Sequence, residues 1–165
     1  MNNTHTYKKA IFAGGCFWGV EDLMEKRDGV IETRVGFTGG HKENPTYEEV
    51  STGDTGHVEA VEVKYDPKKI SYEELAKLFF EIHDPTQAGG QGPDIGSQYE
   101  SVIFYENENE KEIAKKLIDI LKENGLDVVT KLQKAGEFWL AEDYHQDYYK
   151  KSGKKPYCHI YTKRF

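Results

Sequence analysis

Cys16 sits in Gly14-Gly15-Cys16-Phe17-Trp18-Gly19, where a short apolar run gives way to a helical pattern. The glycines let the backbone turn sharply. A helix start then offers unpaired N–H groups and the positive end of the helix dipole, so the thiol pKa should fall below the free value of about 8.5. An inert thiol buried in a turn is the alternative use of such a position; the flanking glycines and the adjacent aromatic pair favour a nucleophile. Phe17 and Trp18 could wall a small apolar or sulfur-bearing group, since sulfur–ring contacts contribute roughly 0.3–1.5 kcal/mol each. Packing into the core is the other use for either ring.

Glu59 is the second residue of interest. In the extended run Val58 to Tyr65 it shares a face with Val61, Val63 and Tyr65, while Glu62 and Lys64 take the other. An acid on an apolar face either meets solvent at a rim or is desolvated. Desolvation raises a carboxyl pKa, so a buried Glu59 would keep a proton near neutrality and could donate it. The acids around Glu73-Glu74 and Glu106 to Glu112 read as solvated faces. The six histidines provide no i, i+4 pair, and two cysteines cannot build a four-thiolate zinc site, so no metal is expected. Gly90-x-Gly92 follows no strand and does not signal nucleotide binding.

These groups need a scaffold. Lys9 to Ala13 reads as a buried strand, Phe17 to Lys26 as a helix stopped by Asp28-Gly29, and Val30 to Phe37 as a strand closed by Gly39-Gly40. Val58 to Tyr65 is a further strand. Ser71-x-x-Glu74 is a capping box opening a helix with Tyr72, Leu75, Phe79 and Ile82 at helical spacing. Ala88 to Gly96 is a glycine-rich loop, Val102 to Tyr105 a strand, and Glu108 to Glu123 a helix with Ile113, Leu117, Ile120 and Leu121 on one face. Val128 to Leu132 reads as a strand and Glu142 to Tyr149 as a short aromatic helix. Several strand pairs lack an intervening helix, so an α+β fold with a mixed or antiparallel sheet is expected. With no repeat or linker in its 165 residues, the chain reads as one domain.

Lys plus Arg total 22 and Asp plus Glu 29, giving a net charge of −7. That excess argues against a general nucleic-acid partner, which needs a cationic footprint. No apolar stretch approaches a membrane span and no signal peptide is visible, so a cytoplasmic protein is expected. In a reducing cytosol Cys16 and Cys158 are not expected to form a structural disulfide. Residues 150–165 carry Lys150, Lys151, Lys154, Lys155, Lys163 and Arg164 with no acid, a basic terminus suited to solubility and, less readily, to partner docking.

Five blocks in order, Gly15-Cys16-Phe17-Trp18-Gly19, Pro45-Thr46-Tyr47-Glu48-Glu49-Val50, Gly56-His57-Val58-Glu59-Ala60-Val61, Asp94-Ile95-Gly96-Ser97-Gln98-Tyr99 and Ala141-Glu142-Asp143-Tyr144-His145-Gln146, resemble the A-type peptide methionine sulfoxide reductases. The resemblance covers nearly the whole chain. It implies a ferredoxin-like core of sheet and helices wrapped by long loops and a C-terminal tail. It implies that Cys16 attacks the sulfoxide sulfur, that Glu59 protonates the oxygen and that Tyr47 and Tyr99 hydrogen-bond it. Phe17 and Trp18 would cage the substrate methyl and Asp94 would help place the substrate. Cys158, in Pro156-Tyr157-Cys158-His159-Ile160, resembles the family's resolving cysteine; a mobile tail would bring it to Cys16, or an external thiol would act directly. The implied substrate is methionine S-sulfoxide, free or in peptides, handled by a monomer with no cofactor and with thioredoxin as reductant.

Other classes are weaker. Cys16 followed by Trp18 and a distant His145 imitates a papain-like protease, but the Ser-Ala context is missing and no Asn follows His145. A disulfide-exchange protein would carry Cys-x-x-Cys. A non-catalytic redox sensor or peptide-binding module would use the same pocket, but would not need a thiol paired with a buried acid.

Overall fold

The computed structural model describes residues 6–154 and 159–165. Its centre is a sheet of six strands: β1 (Lys8–Gly14), β2 (Val30–Thr38), β3 (Val58–Tyr65), β6 (Ser101–Tyr105), β7 (Lys131–Lys134) and β8 (Phe138–Leu140), in the order β7-β6-β1-β3-β2-β8. All neighbours are antiparallel except β6 and β7, which are parallel. The two-residue strands β4 (Gly90–Gln91) and β5 (Asp94–Ile95) form a separate hairpin. That hairpin lies inside the stretch expected to be an irregular glycine-rich loop.

Helices α1 (Phe17–Glu25), α3 (Tyr72–Glu81) and α4 (Glu108–Glu123) bury their apolar faces on one side of the sheet. The main core joins Phe12 and Ala10 of β1, Val61, Val63 and Tyr65 of β3, and Val35 and Phe37 of β2 to Val20 and Met24, Leu75 and Phe79, and Leu117 and Leu121 from the three helices. A smaller cluster on the other face holds Ile11, Ala13, Val58, Ala60, Val102 and Phe104. Ser71 caps α3 through the expected reciprocal bonds with Glu74. In α4 the buried line runs through Ala114, Leu117, Ile118 and Leu121, with Ile113 and Ile120 at its flanks.

Three local expectations are corrected. A five-residue helix, α2 (Tyr47–Ser51), stands where none was expected, with a full capping box between Thr46 and Glu49. The strand expected at 128–132 is shifted to Lys131–Lys134, where it can pair with β6. The helix expected over Glu142–Tyr149 is broken into a 3-10 turn (Asp143–His145) and α5 (Tyr148–Ser152). The break has a clear cause. The Gln146 amide turns back to β2, accepting from Val35 N–H at 2.9 Å and donating to the Val35 carbonyl at 2.9 Å. Asp147 then takes a left-handed conformation (φ 53°) and donates its N–H to Glu21 at 2.7 Å.

Candidate active site

β1 ends at Gly14, and Cys16 is the residue preceding the first turn of α1. Gly15 has φ +93°, and a Cβ there would lie 2.5 Å from Gln91 Cβ, so the turn into Cys16 requires glycine. Cys16 is 7% exposed and stands at the N-cap of α1, where its own side chain makes no capping hydrogen bond. Cys16 thus stands at the start of a helix, the position the sequence pattern predicts for it.

Glu59 is 2% exposed and accepts the Phe17 N–H at 3.1 Å, which fixes the carboxyl beside the residue that follows Cys16. It lies on the main-core face with Val61 and Val63, so the solvent-rim alternative does not hold. Burial, then the neighbouring Cys16, and to a lesser degree Asp94, push the Glu59 carboxyl well above the usual carboxylate range; only the Phe17 N–H opposes them. A raised pKa favours the protonated carboxyl, the form that can donate a proton.

Two phenols complete the group. Tyr47 opens α2 and Tyr99 ends the 3-10 turn Ser97–Tyr99. Burial pushes the Tyr99 hydroxyl up to about 12, with Glu59, Asp94 and Cys16 adding to the effect. The Tyr47 hydroxyl is raised further, by burial and then by Glu59, Tyr99 and Cys16. Cys16, Glu59, Asp94, Tyr47 and Tyr99 therefore share one electrostatic neighbourhood, though they come from five separate stretches of chain. At neutral pH the phenols are donors. Asp94 is half-buried, with its pKa raised by burial, and its Oδ2 is a buried oxygen with no hydrogen-bond partner among the described residues.

The aromatic pair divides its labour. Phe17 is 1% exposed and packs with Phe37, Tyr47 and His145, which makes its ring core. Trp18 is half-buried, stacked on Tyr148 at 3.8 Å and 9°, and near-parallel to Tyr47. Its Nε1–H donates to His145 Nδ1 at 3.1 Å. Because Trp only donates, His145 is the neutral tautomer with its proton on Nε2, and burial holds its pKa below the usual value. His145 thereby orients Trp18 and packs against Tyr47 at 4.4 Å. His57 braces the approach to β3 by accepting Gly40 N–H and donating to the Lys42 carbonyl.

Tyr148 and His159 were not singled out from sequence. Tyr148 gave no signal, being one of 11 tyrosines. The capping pattern Thr46-x-x-Glu49 could have revealed the helix that presents Tyr47. Cys158 lies outside the described residues, so its pairing with Cys16 rests on the resemblance. Among the described residues, Glu21, Glu25 and Asp147 form a trio of acids with ligand atoms within 4.8 Å. Glu21 accepts from Thr33 at 2.9 Å and from the Asp147 N–H, and its pKa is raised to about 7, chiefly by burial.

The family model described as peptide methionine sulfoxide reductase matches residues 8–165. "Peptide methionine sulfoxide reductase MsrA" of Nautilia profundicola is 51% identical over 150 residues, covering 91% of this chain and 87% of its own. The reduced form of Mxr1 from Saccharomyces cerevisiae superposes with a TM-score of 0.88 at 35% identity, over 98% of this chain and 95% of that one. The same yeast protein in complex with Trx2 gives a TM-score of 0.63 at 24% identity, over 98% and 94%.

Proposed function

Because the chain belongs to the peptide methionine sulfoxide reductase family, we propose that the Cys16–Glu59 pair is its reaction centre, with Tyr47 and Tyr99 as donors to the substrate oxygen. The enzyme reduces methionine sulfoxide with thiols. A sulfoxide sulfur becomes a good electrophile only when its oxygen is protonated or strongly hydrogen-bonded. Glu59 supplies the proton and the two phenols supply hydrogen bonds, while Cys16 at the helix start attacks the sulfur. Methionine leaves, the oxygen stays on Cys16 as a sulfenic acid, and two electrons have passed from the thiol to the substrate sulfur. Trp18, held by His145 and Tyr148, offers its ring to the substrate methyl. The buried, unpartnered Asp94 oxygen is an acceptor for a substrate N–H.

Cys158 is the resolving thiol in this reading. The Cys16 sulfenic acid condenses with it, releasing water and forming a disulfide that a thioredoxin dithiol reduces. Capture of the yeast relative with Trx2 supports that choice of reductant. No cofactor is needed, because every electron comes from a thiol. The S epimer as substrate and action as a monomer in the cytoplasm follow the resemblance; among the described residues no helix is long and apolar enough to cross a membrane. The strand order β6-β1-β3-β2 with α1 and α3 on one face supports a ferredoxin-like reading of the core.

The observation that carries the mechanism is the buried Glu59 carboxyl, its pKa raised by burial and by Cys16 and its oxygen tied to the residue after Cys16. Mass spectrometry after one equivalent of methionine sulfoxide tests it. The expected product is oxidised Cys16, as a sulfenic acid or a bond to Cys158, and Cys16→Ser should produce no methionine. Turnover retained in Cys16→Ser would overturn the mechanism.

A further inference from the structure

Helix α1 meets the stretch that opens α5 at two points. Trp18 stacks on Tyr148, with ring centroids 3.8 Å apart and planes 9° from parallel. Nearly one turn along α1, the Glu21 carboxyl accepts the Asp147 N–H at 2.7 Å through Oε1. Trp18 and Glu21 are three residues apart and so lie on one face of the helix. Asp147 and Tyr148 are adjacent in the chain. The ring contact and the backbone bond therefore set the same register between the two segments.

Glu21 is only 1% exposed, and burying a carboxyl is costly unless its oxygens are bonded. Its second oxygen, Oε2, accepts the Thr33 hydroxyl of β2 at 2.9 Å, so one side chain ties together α1, β2 and the start of α5. The tie matters because α5 is weak by itself. It has five residues, too few for a helix to persist unaided, and the Asp147 side chain makes no capping hydrogen bond at its start. Asp147 is also left-handed, with φ 53°, a region that residues with a Cβ enter rarely and that the surroundings must support. The Gln146 amide clamps the preceding residue to Val35. Glu21 holds Asp147 itself, at the residue before Tyr148.

We propose that Glu21 is a positioning residue for sulfoxide binding: its carboxyl fixes the Asp147 backbone so that Tyr148 lies flat on Trp18 and the indole is held where the substrate methyl meets it. This rests on Trp18 being the ring that receives the methyl. Glu21 acts through Tyr148 and touches no substrate atom. His145 bonds the indole N–H independently at 3.1 Å, so loss of Glu21 leaves the ring attached but free to tilt. Binding of the sulfoxide is then weakened rather than abolished.

Single-turnover release of the first methionine, measured over a range of methionine sulfoxide concentrations, separates binding from chemistry. Glu21→Leu fills the space without offering an acceptor. It should raise the half-saturating concentration about fivefold, the order of one sulfur–ring contact, and leave the limiting rate within about twofold of the wild type. Glu21→Gln should restore binding, because its oxygen can accept the Asp147 N–H and its amide can donate to the Thr33 hydroxyl. In a Trp139→Phe background Trp18 is the sole tryptophan, and Glu21→Leu should make its fluorescence more readily quenched by acrylamide. Added to Tyr148→Leu, Glu21→Leu should weaken binding by less than about twofold more, since both act on one stack. Should Glu21→Leu fail to fold, Glu21→Asp, which draws the carboxyl back from Asp147 by one methylene, is read in the same way. Unchanged half-saturation, no rescue by Glu21→Gln, or full additivity with Tyr148→Leu would overturn the proposal. So would a limiting rate that falls in step with binding, because that marks a merely structural role. If Trp18→Leu binds methionine sulfoxide as the wild type does, the reading of Trp18 itself fails, a distinguishable result because the quenching still reports whether Glu21 holds the indole.

Discussion

Glu59 is the acid of the proposed reaction, and its surroundings act on its proton in opposite directions. Its backbone partner, the Phe17 N–H, can only donate, so in the proposed reaction it would steady the carboxylate left after proton transfer. Burial and Cys16 raise its pKa and so favour the protonated form. Glu59→Gln retains the hydrogen bond and the volume but has no proton to transfer. Methionine formation should fall by about a hundredfold or more, while alkylation of Cys16 by iodoacetamide changes only a few-fold. Equal losses in both assays would mark Glu59 as structural. The strand's alternation was enough to place Glu59 on the core face. It could not show the Phe17 N–H or the phenols, because those contacts join segments far apart in the chain. Phe17 and Trp18 are adjacent yet differ in burial, since adjacent residues at a helix start point to different sides.

At the level of the element, α2 buries Val50 in the main core and carries Tyr47 at its start. Five residues cannot form a stable helix in isolation. The Thr46–Glu49 capping box closes both ends of its first turn, and Tyr47 is the first residue in it. Thr46→Ala should cost about 1 kcal/mol of stability and lower kcat/KM roughly tenfold by loosening Tyr47, checked by urea denaturation and steady-state kinetics. Loss of stability with kcat/KM unchanged would separate α2 from the site. The longer elements were legible: α4 and β3 have the bounds that periodicity and flanking turn residues predict. The short ones were not. Three-residue β8 exists because β2 offers it an edge. The stretch from Glu142 abandons helical geometry because the Gln146 amide and the Asp147 N–H find better partners on β2 and α1. Such bonds are tertiary and leave no periodic trace.

Over the whole molecule, burial shifts ionisable groups in two opposed directions. Glu21, Glu25, Glu59 and Glu110 have raised pKa values, each chiefly through burial, with Glu21 at about 7. Their contribution to stability is complete below the unfolded value of about 4.5 and is lost as pH rises through their folded values. His83, His145 and His159 are lowered by burial, His83 to about 3. Their contribution is complete above about 6.5 and is lost as pH falls from there. The two losses leave a maximum between about pH 4.5 and 6.5. Urea midpoints measured from pH 4 to 9 should decline above about pH 6.5; a midpoint still rising from pH 7 to 8 would contradict this account. The Gln146 amide has a final consequence at this scale. Beyond β8, Val35 on β2 is already bonded through its N–H and, from Gln146 and Ala141, through its carbonyl. A side chain thus occupies the place of another strand, and the other margin of the sheet, β7, carries Lys131 and Lys134. The lysines on the edge strand β7 resist strand addition from a neighbouring molecule along that border, so crowding should not drive these chains to polymerise through it.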